Sequence, residues 1–208
     1  MVGVRVMVVY VLVSLSMIAI ESGCASSTCE EREEVMVPTV QPRVLFEPSM
    51  AREASKSEVK RVEMLLSAHE FVAERAQLDA GGSEAEEALW MISSDPERRE
   101  SLRLRAFELL AQYPGDEVRA LYERAIGGLG PVRFQHRAVA RFGDVWPEHA
   151  AAVLGQVLAT SPDPQLRLTA AASLMSCCAK TGEGLLEKAL EREKEDWVRE
   201  KLQDYRSR

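Results

Sequence analysis

Along residues 95–205 the apolar positions obey two periods at once. Locally they fall at i, i+1, i+4 and i+5, the face of an amphipathic helix, and over a longer range the same pattern returns every 32 residues. Sliding the chain by that interval superposes LRLRAFELL (102–110), FQHRAVARF (134–142) and LRLTAAASL (166–174). Their leading positions are Leu102, Phe134 and Leu166, continued by Val198; the fifth are Ala106, Ala138 and Ala170, continued by Leu202; the ninth are Leu110, Phe142 and Leu174. A second series keeps the register: Leu121, Val153 and Leu185, followed by Tyr122, Leu154 and Leu186. The expectation is two helices per interval, in copies at about 95–127, 128–159 and 160–192, with a decayed copy upstream where Leu89 and Trp90 match Leu121 and Tyr122.

Turn chemistry falls between these segments. Asp95-Pro96 and Asp163-Pro164 offer an N-cap followed by proline at the first helical position, and Ser83 with Glu86 offers a capping box. Pro114-Gly115-Asp116, Gly143-Asp144 with Pro147, and Thr181-Gly182 are expected to separate the two helices of each copy. GGLGPVR (127–133) reads as a turn between copies, lacking the Lys-Ser/Thr and the preceding strand of a phosphate loop. One capping helix is expected within 49–81, with Val62, Leu65, Leu66, His69 and Val72 on its face. Another is expected at the C-terminus, with Trp197, Val198 and Leu202 as its stripe. Small residues at the fifth position let helices approach closely, and each pair can bury its apolar face only against a neighbour, which is the logic of an α-solenoid.

The recurring Leu102-Arg103-Ala106-Leu110 and Leu166-Arg167-Ala170-Leu174 resemble HEAT repeats, particularly the short subtype first noted in phycobilisome lyases. VARFGD (139–144) is similar to that subtype's Leu-Gly-x-Leu-Gly-Asp turn. Tetratricopeptide repeats have a comparable period, but their Trp, Leu-Gly and Tyr signature is absent. The resemblance implies an all-α fold, an α-solenoid of stacked antiparallel helix pairs across 49–208, whose second helices line a concave surface that holds a protein or peptide.

The N-terminal pattern is different. Arg5 is followed by an uncharged apolar run from Val6 to Ile20, about 22 Å as a helix and short of the roughly 30 Å that a membrane span needs. Residues 1–23 therefore read as a signal peptide. Ser22-Gly23-Cys24 resembles the end of the bacterial lipoprotein lipobox, which implies acylation of Cys24 and a lipid-anchored, envelope-facing protein; the motif's usual Leu is Glu21 here. Cleavage after Ala25, giving a soluble secreted protein, and an uncleaved anchor are the alternatives. Residues 24–48, with Pro38, Pro42 and Pro48, read as an extended tether. Val35 to Val37 and Val44 to Phe46 are more apolar than a tether requires and are expected to dock on the folded domain.

Composition narrows the function further. The chain has 208 residues, a net charge of −7 and no basic stripe, which argues against nucleic acid as a partner. The only histidines are His69, His136 and His149, none spaced with cysteine, serine or carboxylate as a triad or metal site requires, so no catalytic residue, cofactor or metal is expected and the chain does not read as an enzyme. Cys177 and Cys178 occupy apolar register positions, so buried thiols are the expectation, with a disulfide or a metal as alternatives; Cys29 has no assigned role. The recurring Arg103, Arg167 and Arg199 read as inter-repeat ion pairs or as a basic ladder.

The function expected from these readings is a membrane-anchored protein-interaction scaffold, with Glu117, Glu123, Gln156 and Lys188 as partner-facing positions. An accessory subunit of an envelope enzyme, or a lyase-like HEAT protein, is the alternative, beside a purely structural secreted protein.

Overall fold

The computed structural model describes residues 44–47, 50–67 and 73–207. Cys24, Cys29, the leader, Val35 to Val37, His69 and Val72 lie outside them. Among the described residues every regular element is a helix: α1 (Lys56–Ser67), α2 (Arg75–Asp79), α3 (Ala85–Ser94), α4 (Glu100–Leu110), α5 (Asp116–Ile126), α6 (Val132–Val145), α7 (Pro147–Thr160), α8 (Pro164–Arg192) and α9 (Asp196–Arg206). The helices α4, α6, α8 and α9 begin at residues 100, 132, 164 and 196, each 32 residues after the last. They pack in that order, α4 on α6, α6 on α8 and α8 on α9, while α3, α5 and α7 pack beside α4, α6 and α8 respectively.

Burial follows the sequence register. Ala106, Ala138, Ala170 and Leu202 are all fully buried, as are Leu110, Phe142 and Leu174. Of the leading positions, Phe134, Leu166 and Val198 are buried and Leu102 is half-buried. An aromatic cluster ties the centre together. Phe107 stacks on Tyr122 with centroids 4.4 Å apart and meets Phe134 at 5.0 Å, and Trp146 lies 5.1 Å from Tyr122 and 5.3 Å from Phe142. The Tyr122 hydroxyl donates to the Phe107 carbonyl at 2.9 Å, satisfying a group in the last turn of α4 that has no partner within its own helix. Burial pushes that hydroxyl's pKa well above the usual tyrosine range.

Several local expectations are corrected. Asp163 and Pro164 do cap α8, with the carboxylate accepting from Gln165 N at 2.8 Å. Asp95 and Pro96 do not start α4: Asp95 ends α3 and its carboxylate holds a turn by accepting from Glu97 N and Arg98 Nε, both at 3.0 Å. The Ser83 capping box does not form, because α3 starts at Ala85 after Glu84, whose carboxylate accepts from Ser55 N at 2.8 Å instead. The described residues of the region 49–81 hold two helices rather than one, α1 and α2, joined by the Arg61 guanidinium. It pairs with the buried Glu58 and donates to the Gln77 and Leu78 carbonyls. In α9, Val198 and Leu202 face the core but Trp197 is exposed.

The third copy breaks at Cys178 and not at Thr181-Gly182. Cys178 has φ −151° and ψ 53°, so α8 is two helical arms, 164–177 and 179–192, meeting at one residue. Gly182 is buried inside the second arm, where an added Cβ would lie 3.2 Å from the Leu174 carbonyl oxygen. Cys177 and Cys178 are joined by a disulfide and are half-buried against the core, so these positions are apolar as the register requires while their sulfurs are paired.

The recurring second-position residues share a task beyond the inter-repeat ion pair that Arg167 makes with Glu193. Arg103 Nε donates to Ser93 O at 3.1 Å, Gln135 Nε2 to Ile126 O at 2.9 Å, Arg167 Nη1 to Ser161 O at 3.0 Å and Arg199 Nη2 to Glu193 O at 2.5 Å. Each acceptor is at the C-terminal end of the preceding helix, where carbonyls lack intrahelical partners and the helix dipole favours a cation. Arg167 and Arg199 are ion-paired as well, to Glu193 and Asp196. The presence of Gln135 in this series shows that the hydrogen bond, not the charge, is what recurs.

Residues 44–47 and 50–54 run against α3 and α5. Leu45 is buried, Phe46 meets the edge of Trp90 at 5.9 Å, and Arg52 lies over the Trp90 ring at 5.1 Å. Arg124 Nε donates to Leu45 O at 3.0 Å and Nη2 to Val44 O at 2.5 Å, while Nη1 pairs with the Glu47 carboxylate. Ala54 N donates to the Met91 sulfur at 3.2 Å.

Candidate functional site

Two clefts open along the second helices, and they are counterparts of each other. The first, about 430 Å³, is bounded by α5, α7 and the turn after α7; Glu123, Val153, Gln156 and Thr160 are among its walls. The second, about 550 Å³, is bounded by α7, the second arm of α8 and the turn before α9; Gly155, Leu185, Lys188 and Arg192 are among its walls. Adding 32 to each residue that lines the first cleft gives a residue that lines the second. Their floors are apolar, with Val157 and Leu158 nearly fully buried and Val153 and Leu185 half-buried.

Their electrostatics differ. No lysine or arginine lines the first cleft, and its Glu123 is paired with Arg119 at 2.9 Å. The second carries Lys188, Arg192 and Lys194, all exposed and none ion-paired to a carboxylate of a described residue. Its Glu193 is engaged by a two-pronged bond with Arg167, at 2.7 and 2.8 Å, and accepts from Lys194 N and Glu195 N at 2.9 and 3.0 Å. Burial acts to raise the Glu193 carboxyl, but the Arg167 guanidinium and the two N–H groups outweigh it and hold the pKa below the usual glutamate range. The cleft is therefore locally cationic in a chain whose net charge is −7.

Of the partner-facing positions expected from sequence, the structure brings Glu123 and Gln156 into one cleft and Lys188 into the next. Glu117 stands apart, paired with Arg52. Sequence reasoning missed Arg192 and Lys194; their register with Thr160 and Pro162 was the available signal. A further cleft of about 650 Å³ lies between α1 and the start of α4, and Arg98 and Arg105 in its wall are engaged. Arg98 pairs with Glu63 at 2.7 Å and Asp95 at 3.0 Å, and Arg105 donates to Leu66 O at 2.5 Å.

The histidines fall outside these clefts where they are described. His136 Nε2 lies 3.1 Å from Asp163 Oδ2, which fastens α6 to the N-terminus of α8, and His149 is half-buried near Glu148 at 3.7 Å. Among the described residues no three metal-ligating side chains converge, and no helix is long and apolar enough to cross a membrane. Comparison with protein families, with curated proteins and with solved structures finds no match.

Proposed function

We propose that this chain is a HEAT-like α-solenoid that serves as a protein-interaction scaffold, tethered to a bacterial membrane through a lipid on Cys24. The observation that carries the scaffold reading is the pair of register-equivalent clefts, open on successive second helices, with exposed side chains above a floor of core residues. Stacked identical units repeat their surface as well as their core, and solenoids bind along such repeated surfaces. The 32-residue spacing of α4, α6, α8 and α9 supports the stacking. The apolar run Val6 to Ile20 followed by Ser22-Gly23-Cys24 supports export and anchoring. On this reading the chain has no chemistry of its own and acts by holding a protein at the envelope.

A photoreactive amino acid placed at Gln156 in the native host tests the scaffold reading. The expected result is one discrete covalent adduct on illumination, absent when the same group replaces Arg137 on the other helix layer. No adduct from Gln156, or the same adducts from both positions, contradicts it.

A further inference from the structure

Residues 44–47 and 50–54 mark a third counterpart of the two open clefts. Their contacts on the helices include Met91, which accepts from Ala54 N, Arg124, which clamps Val44, Leu45 and Glu47, and Gly130, where an added Cβ would sit 2.9 Å from Leu45 Cβ. Moved by 32 residues these positions are Glu123, Gln156 and Pro162, and all three line the first open cleft. Moved by 64 they are Gly155, Lys188 and Lys194, and all three line the second. The protein's own chain thus lies in the equivalent of a cleft that is open in the two following copies. Burial agrees: Leu121 is fully buried, while its counterparts Val153 and Leu185 remain half-exposed.

The filled position shows how such a cleft holds a bent, non-helical stretch of chain. Arg124 reaches two backbone carbonyls and the carboxylate two residues further on, while Leu45 is buried and Phe46 turns to Trp90. An apolar residue, a spacer and an acid are what the clamp reads, with main-chain bonds supplying sequence-independent affinity. In the second open cleft Lys188 takes the place of Arg124, and Arg192 and Lys194 add charge that Glu195 only partly offsets. The first open cleft has Gln156 there and no cation at all.

We infer that the cleft around Lys188 binds a non-helical acidic segment of a partner protein, of the pattern that Leu45-Phe46-Glu47 shows in this chain, with Lys188 donating to its backbone carbonyls and to its carboxylate. This rests on the scaffold reading and narrows it to one cleft and one partner chemistry. Charge-assisted bonds to a carboxylate are the stronger kind, and their loss raises the dissociation rate.

The test is fluorescence anisotropy of the full chain with a labelled peptide that joins Val-Leu-Phe-Glu to two aspartates, and with a control peptide whose acids are replaced by their amides. Saturable binding that weakens with salt is expected, with roughly tenfold loss for the amide peptide and for Lys188→Glu, and no change for Arg137→Glu. Lys188 is exposed, so the thermal midpoint of Lys188→Glu should match the parent and separate binding from folding. Absence of saturable binding, equal weakening by Arg137→Glu, or undiminished affinity of the amide peptide overturns the inference. So does sedimentation showing a dimer of this chain that Lys188→Glu dissociates, since a second copy would then fill the cleft. If the Gln156 crosslink captures a partner while the peptide fails, this assignment falls and the scaffold reading stands. If no partner is captured, the scaffold reading itself falls.

Discussion

Trp146 and Cys178, 32 residues apart, hold nearly the same backbone conformation: φ −130° and ψ 64° at Trp146, φ −151° and ψ 53° at Cys178. Each is the single residue at which a helix of one layer turns into its partner, α6 into α7 and the first arm of α8 into the second. With so short a turn, the approach of helices beside it must be close. Gly143 stands three residues before Trp146, and an added Cβ there would lie 2.5 Å from Ser173 Oγ and 3.1 Å from both the Ser173 carbonyl oxygen and Cys177 Sγ. Gly143→Ala should therefore destabilise the protein by about 1–3 kcal/mol despite the better helix propensity of alanine. Gly184, in the second arm of α8 with nothing within 4 Å of an added Cβ, is the control, and Gly184→Ala should stabilise by up to about 1 kcal/mol. Thermal melts of both variants check this, and equal effects would contradict the close approach of α6 to α8.

Arg167 serves both the helix-end carbonyl series and the buried carboxylate Glu193. Arg167→Met leaves Ser161 O without its donor and Glu193 without its counter-charge, which should cost about 2–4 kcal/mol in urea unfolding. Adding Glu193→Gln should recover part of the loss, because no unpaired charge then remains. A double variant no more stable than the single one would show that the pair is not coupled.

Acid should act through the same carboxylate. A pKa held below the unfolded value, about 4.3 for glutamate, means that the stability Glu193 contributes is complete above that value and is lost as pH falls through the lower folded value. Asp79 behaves alike, held low by the hydroxyl of Tyr113, 2.7 Å away, and by Arg75. Unfolding free energy should fall below about pH 4 as these two carboxylates take up protons. The fall should be shallower in Arg167→Met, and identical slopes would contradict the assignment.

The disulfide between Cys177 and Cys178 joins adjacent residues. It closes no long loop in the unfolded chain, so the entropic stabilisation that disulfides usually bring is minimal. Mass spectrometry before and after reduction should show both cysteines protected from alkylation until reduced. Replacing both by alanine should move the thermal midpoint by no more than a few degrees, as for about 1 kcal/mol. Alkylation without reduction would contradict the bond.

Cys24→Ser should release the protein from the membrane fraction of its host, because acylation of that sulfur is what the anchoring proposal requires. Unchanged partitioning would remove the lipid anchor from the account.

The periodic core was legible because burial is written in residue type: Ala106, Ala138 and Ala170 are small where helices approach, and Phe134, Leu166 and Val198 are large beside them. Helix boundaries were less legible. Asp95-Pro96 and Asp163-Pro164 read identically in sequence, yet only the second caps a helix, because Asp95 is taken up by Glu97 N and Arg98. The break at Cys178 carries no glycine or proline, so local propensity could not mark it; only its register with Trp146 could. The role of Arg103, Arg167 and Arg199 was hidden for another reason, since a bond from a side chain to a helix-end carbonyl depends on how one helix ends beside the next. Glu123, Gln156 and Lys188 were placed on the second-helix surface from sequence, whereas the two clefts that divide them, Glu123 with Gln156 in one and Lys188 with Arg192 and Lys194 in the other, depend on the turns after α7 and α8.

The proposed scaffold requires that one helix pair recur every 32 residues and stack in line. Spin labels at Arg137→Cys and Lys201→Cys, in a chain with Cys24 and Cys29 replaced by serine, read that stacking directly by pulsed electron resonance. These positions are two steps apart on α6 and α9, with α8 between them. At 8–10 Å between neighbouring helix axes the account predicts a single narrow distribution centred near about 20 Å, widened only by the label arms. A broad distribution, or one centred beyond about 35 Å, would contradict it.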